Sequence, residues 1–147
     1  MHDLTPQQKR QARITALQVI YAQEFHGSDM DTTLEHMINP ADITTKDVIT
    51  YGRHLCSLTI KHLSEMDKII KERSKNWDFN RITIIDRLIL RISLAEMLYE
   101  DGVPPKVSIT EGVEIAKQFS TSDSSSFING ILDAVYNDIL KWKEKAI

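Results

Sequence analysis

The stretch from Ile85 to Leu98 is apolar on almost every face a helix could present. Ile85, Leu88, Ile89, Leu90, Ile92, Leu94, Met97 and Leu98 leave Arg87, Arg91 and Glu96 as its polar exceptions. A helix that is hydrophobic all round is one that other elements surround. Thr83-Ile84-Ile85-Asp86 resembles a capping box with Asp in the acidic place, and Asp101-Gly102-Val103-Pro104-Pro105 stops the run. It is shorter than the roughly 20 residues of a membrane span. Its expected place is therefore the centre of a helical bundle.

The surrounding helices can be read on both sides. Thr5-Pro6-Gln7-Gln8 is a helix start: Thr caps, Pro suits the first helical position and Gln8 completes a capping box. Ile14, Leu17, Tyr21 and Phe25 follow at helical spacing and predict one apolar face, ended by Gly27-Ser28-Asp29. A short helix over residues 32–37 stops at Asn39-Pro40. Residues 45–73 place Val48, Leu55, Leu58, Leu63, Met66, Ile69 and Ile70 on a buried face, as one helix or as two with a break. Gly52 is a poor helix former that would suit a close approach to a neighbouring helix. The connector Asn76-Trp77-Asp78-Phe79-Asn80 should fold its two aromatics onto the core.

Ser108-Ile109-Thr110-Glu111 reads as a capping box opening a helix to about Phe119. The serine-rich run over residues 122–126 caps a last helix. Phe127, Ile128, Ile131, Leu132, Val135, Ile139 and Trp142 form its apolar stripe. No segment keeps strand-like alternation. The expectation is an all-α fold, a compact bundle of about seven helices forming a single domain over residues 1–147.

Composition excludes several classes. With 147 residues, 41% of them hydrophobic, the chain can bury a core without disulfides or metal. Its single cysteine, Cys56, fits a reducing compartment, and no signal peptide or membrane span is read in it, so a cytoplasmic location is expected. His2, His26, His36, His54 and His62 do not fall at ligand spacing, and there is no glycine-rich phosphate loop. No metal, cofactor or catalytic residue is expected. Cys56 reads as a small core residue, and Glu111 and Glu114 as acids favoured near a helix start.

Two features can bind an anion. The net charge is -3, yet Lys9, Arg10 and Arg13 outnumber the lone Asp3 among residues 1–23. Exposed charge acts over about 8 Å at physiological salt, so a local basic segment can bind an anion on an acidic body. Read blandly, it is a solvated helix face. The second feature is the start of the last helix, where free N–H groups and hydroxyls suit a phosphate, or serve only as a cap. Phe127 follows it directly. It is either core or, if exposed, a platform for an unpaired base.

Four motifs carry a family resemblance. Lys9-Arg10-Gln11-Ala12-Arg13 with Ala16-Leu17-Gln18-Val19-Ile20-Tyr21 is the first, and Trp77 followed by Asp86-Arg87-Leu88-Ile89-Leu90-Arg91-Ile92 is the second. Val107-Ser108-Ile109-Thr110-Glu111-Gly112-Val113-Glu114-Ile115-Ala116-Lys117 is the third, and Ser124-Ser125-Ser126-Phe127-Ile128-Asn129-Gly130-Ile131-Leu132-Asp133 the last. In order and spacing, over nearly the whole chain, they resemble the NusB family of bacterial transcription antitermination factors.

The resemblance implies an all-helical RNA-binding protein that is not an enzyme. Its partners would be boxA-type single-stranded RNA, the ribosomal protein NusE, and the elongating RNA polymerase with other Nus factors, chiefly in rRNA transcription. A homodimer is compatible with the sequence. Carried onto matching positions, Arg10 and Arg13 would hold RNA phosphates with Lys9 assisting. Phe127 would contact a base with Asp123 beside it, and Arg91 would reach the same RNA. Tyr21 and Asp86 match positions facing the ribosomal protein. Asp86 read alone is a helix cap, and Arg87 and Arg91 read alone pair with acids. This sequence departs from the family pattern at Gln11, which interrupts the basic opening, and at Thr110 and Gly112, where Asn and Ala are frequent. The competing functions are a protein-binding helical adaptor without RNA affinity, and an accessory domain of an rRNA-modifying enzyme.

Overall fold

The computed structural model describes residues 4–27, 29–37, 43–74 and 78–145, the side chains of 43–45 and 142–145 aside. These form α1 (Pro6–His26), α2 (Met30–Met37), α3 (Ile43–Lys61), α4 (Leu63–Arg73), a 3-10 turn (Phe79–Arg81), α5 (Ile84–Tyr99), α6 (Pro105–Phe119) and α7 (Ser122–Lys145). There is no strand among the described residues. The stop at Asn39-Pro40, the connector residues Asn76 and Trp77, and the Trp142 ring lie outside the described residues and side chains. The chain divides into two compact units, Met1–Lys61 and His62–Ile147.

The first unit is built on α1 against α3. Thr5 caps α1: its hydroxyl accepts from the Gln8 N–H at 3.1 Å, and Gln8 Oε1 accepts from the Thr5 N–H at 2.9 Å. Gly27 ends the helix with φ 61°, a left-handed value that glycine adopts without strain. Small residues four apart set the packing. Ala12 and Ala16 of α1 meet Gly52 and Cys56 of α3, with the Cys56 thiol directed at the Ala16 carbonyl at 3.8 Å. A Cβ on Gly52 would stand 3.2 Å from the Ala12 carbonyl oxygen, so the close approach expected there is real. The short helix starts two residues earlier than its pattern suggested. Asp29 is its cap, the carboxylate accepting from the Thr32 N–H at 3.2 Å. Leu34 of α2 is fully buried, and Arg53 of α3 pairs with Asp31 of α2.

In the second unit α5 touches α4, α6 and α7, the central role its composition demanded. Leu88, Leu90 and Leu94 are completely buried. Each such leucine contributes roughly 1.5–3 kcal/mol of apolar transfer. Thr83 caps the helix, accepting from the Asp86 N–H at 3.3 Å. Two buried polar groups join α5 to α6, the Ser108 hydroxyl donating to Glu96 Oε1 at 2.8 Å.

That hydrogen bond corrects the expected capping box at Ser108. The helix already begins at Pro105, and Ser108 lies inside it. Proline at the first position gives up only an N–H that would have no helical partner. The serine run is corrected in the same way: α7 is capped by Thr121, whose hydroxyl accepts from the Ser124 N–H at 3.1 Å. The segment over residues 45–73 resolves into two helices, broken at His62.

Candidate nucleic-acid interface

The candidate residues divide between the two units. Lys9, Arg10, Arg13 and Tyr21 all lie on α1 in the first. Lys9 and Arg10 are half-buried, within reach of a ligand. Arg13 is only 4% exposed, and α1 turns it inward with Ala12 and Ile14. A phosphate meets Arg13 only if the helix surroundings move.

Tyr21 is exposed, and so is Phe25, at 55%. The two rings sit one helical turn apart with centroids 4.6 Å from each other. The periodicity of α1 puts Phe25 in its apolar stripe. The buried face of that helix ends at Ile20, however, and the last turn and a half runs beyond it. The result is an exposed aromatic pair, the kind of amphipathic anchor that protein interfaces favour. The stripe's periodicity alone does not tell where the packing stops.

In the second unit Asp86, Asp123 and Phe127 come together. They line one pocket of about 210 Å³ with Arg81, Ile82, Thr83 and Ser124. The first turns of α5 and α7 and the end of the 3-10 turn build it. Asp86 is 5% exposed, and its Oδ1 has no hydrogen-bond partner among the described residues. A buried carboxylate oxygen without a donor is costly unless something from outside supplies one. Two carboxylates against one guanidinium make the pocket a poor cradle for a phosphate, which the serine-rich helix start alone would suggest. Its exposed carboxylate, Asp123, suits an incoming donor instead: an ammonium, a guanidinium or the amino edge of a base. Phe127, half-buried, supplies an apolar wall.

Arg91 does not join this group. It is buried and gripped by Asp67 of α4, Nε to Oδ1 at 2.7 Å and Nη2 to Oδ2 at 3.0 Å. One edge of the guanidinium, Nε and Nη2, is thereby engaged within the protein. Arg81 is the charged pocket residue that no sequence signal marks. It sits in a 3-10 turn, three residues too short to show periodicity. Arg87 lies over the Phe79 ring at 5.4 Å, with Lys71 also over the ring at 4.8 Å. Cys56 is no nucleophile: burial pushes its thiol up to about 12, against a smaller lowering by Arg53.

Comparison with known proteins concerns the chain as a whole. The pattern of the NusB family matches residues 10–137. The transcription antitermination protein NusB of Chloroherpeton thalassium is 45% identical over 134 residues, covering 89% of this chain. The chain spans 62% of that relative's length. The corresponding protein of Salinibacter ruber is 37% identical over 134 residues, covering 89% of this chain and 82% of its own. Among solved structures, T. maritima NusB superposes with a TM-score of 0.76 at 30% identity, over 86% of this chain and 89% of that one. A protein chain from the crystal structure of a plectonemic RNA supercoil superposes with a TM-score of 0.79 at 26% identity, over 90% and 96%. Since the match runs unbroken from α1 into α7, through the elements that carry every candidate residue, the chain belongs to the NusB family.

Proposed function

We propose that this protein is a transcription antitermination factor, not an enzyme. It binds boxA-type single-stranded RNA together with the ribosomal protein NusE and joins the elongating polymerase in the cytoplasm, chiefly on rRNA operons. The observation that carries this reading is the family match over residues 10–137. The relatives bear the name of transcription antitermination proteins, and one superposing chain comes from a crystal that contains RNA. The match crosses the boundary between the two units, which supports treating them as one functional domain.

Lys9 and Arg10 hold phosphates, which gives affinity without sequence information. Arg13 and Arg91, expected at the same RNA, are both buried, so their contact with it requires local movement, and Asp67 competes for Arg91. Phe127 meets a base with Asp123 beside it. Tyr21, with Phe25 next to it, and Asp86 face the protein partner. The place of Asp86 in the wall of the open pocket supports that last role.

The test is fluorescence anisotropy with labelled boxA RNA against a scrambled strand, at physiological salt, with and without NusE. Tighter binding of boxA, enhanced by NusE and weakened by Arg10→Ala, is expected. Equal binding of the scrambled strand with NusE present sinks the reading and leaves the protein-binding adaptor in its place.

A further inference from the structure

A second concavity in the unit His62–Ile147 shares no residue with the pocket at Asp86. It is a groove of about 260 Å³ between α4 and α7. Its floor is apolar: Ile69 from α4, Leu98 from α5 and Ile139 from α7, each left partly open. Its rim is acidic. Glu65 and Glu72 stand on α4 and Asp138 on α7, against a single cation, Arg73. Arg73 is already paired with Asp138. That leaves Glu65 and Glu72 without a fixed cation on the rim, although Glu65 accepts the Tyr99 hydroxyl and lies 3.6 Å from His62 Nδ1. Among the described side chains, Lys68, Lys71 and Lys141 lie on the same two helices but do not line the groove; those of Lys143 and Lys145 on α7 are outside the described set.

We propose that this groove is a docking surface for an amphipathic helix of a protein partner, one that carries Lys or Arg beside its apolar stripe. Charge complementarity selects the occupant. The carboxylate rim repels nucleic-acid phosphates, and anionic lipid as well, whereas cationic side chains flanking a stripe at i, i+4 and i+7 would meet Glu65 and Glu72 while their apolar neighbours cover the floor. The Arg73–Asp138 pair spans the two helices that form the groove and holds their spacing. This surface is independent of the RNA and NusE reading, and either can fail without the other.

The experiment uses the full chain and a labelled helical peptide of about four turns, with leucines at i, i+4, i+7 and i+11 and flanking lysines. A second peptide has glutamates in place of the lysines. The lysine peptide is expected to bind and the glutamate peptide not to. Glu72→Lys, an exposed change that leaves the core alone, should weaken binding roughly tenfold. Glu35→Lys on α2 makes the same charge change elsewhere and should have little effect. Methyl NMR should place the bound peptide at Ile69, Leu98 and Ile139. Equal binding of the two peptides, equal effects of the two variants, or shifts at other methyls would overturn the proposal. So would self-association of the chain that Glu72→Lys abolishes, because the occupant would then be a second copy.

Discussion

Two glycines show how the same residue type answers to different surroundings. Gly112 of α6 lies against α5, and a Cβ there would stand 2.5 Å from the Ser93 hydroxyl and 3.3 Å from Leu132 Cδ1. The departure from the family's frequent alanine thus matches the presence of Ser93 across the helix contact. Overpacking at Gly112→Ala costs about 1–3 kcal/mol, and the helix-propensity gain of about 0.5–1 kcal/mol offsets part of it, which leaves a net destabilisation. Gly130 of α7 is exposed, and a Cβ there would meet nothing within 4 Å. Gly130→Ala should stabilise by about 0.5–1 kcal/mol, because only backbone freedom is lost. Thermal unfolding of the two variants should therefore move in opposite directions.

Cys56 makes a prediction of its own. Its thiol, raised from 9.0 to about 12 by burial, stays neutral in the folded protein while the unfolded chain ionises. Stability from this group is whole below pH 9 and is lost as pH rises from 9 towards 12. Cys56→Ala should be offset from the parent by a constant amount below pH 9, and its alkaline decline should be shallower. Urea unfolding as a function of pH would read this, and a thiol reagent at pH 8 should label the parent only when it is unfolded.

At the scale of elements, the helices differ in how much of them the sequence discloses. The starts of α1 and α5 are legible, because a threonine three residues ahead of a Gln or Asp leaves few other uses for its hydroxyl. The starts of α6 and α7 are misread for one shared reason: the true start stands just ahead of a better-looking series of capping candidates. Proline opens α6 without any side-chain cap, which frees Ser108 to serve Glu96. Thr121 precedes the serines of α7. Thr121→Ala should accordingly cost about 1 kcal/mol, and Ser122→Ala should stay within about 0.5 kcal/mol of the parent. If Ser122→Ala proved the costlier in chemical denaturation, the cap would be misplaced. The break at His62 leaves no trace in composition, since Leu58, Leu63 and Met66 continue the apolar pattern through it.

For the whole molecule, the candidate interface is legible in part, and the division follows the physics of each group. Motif positions mark which side chains matter, but burial depends on neighbours distant in sequence. The resemblance expects Arg91 at the RNA, yet Asp67, 24 residues away, binds its Nε and Nη2. Asp86 reads as a cap, and only the fold shows that it also lines a pocket and leaves Oδ1 without a hydrogen-bond partner among the described residues. Under the proposed function, these residues make separable contributions to RNA binding. Arg10→Ala should lower affinity for boxA and scrambled RNA alike, and reduce the salt slope by about 0.7 for the one phosphate it no longer neutralises. Phe127→Ala should cost about 1–3 kcal/mol at whichever base stacks there, with the salt slope unchanged. Asp86→Asn should leave binding of RNA alone intact yet diminish the gain from adding NusE, because affinity linkage between two ligands passes through the contacts that the second one makes. Anisotropy titrations at four salt concentrations, with and without NusE, separate the three variants. An Asp86→Asn protein that still gained the full NusE enhancement would show that the orphaned carboxylate oxygen answers to some other donor.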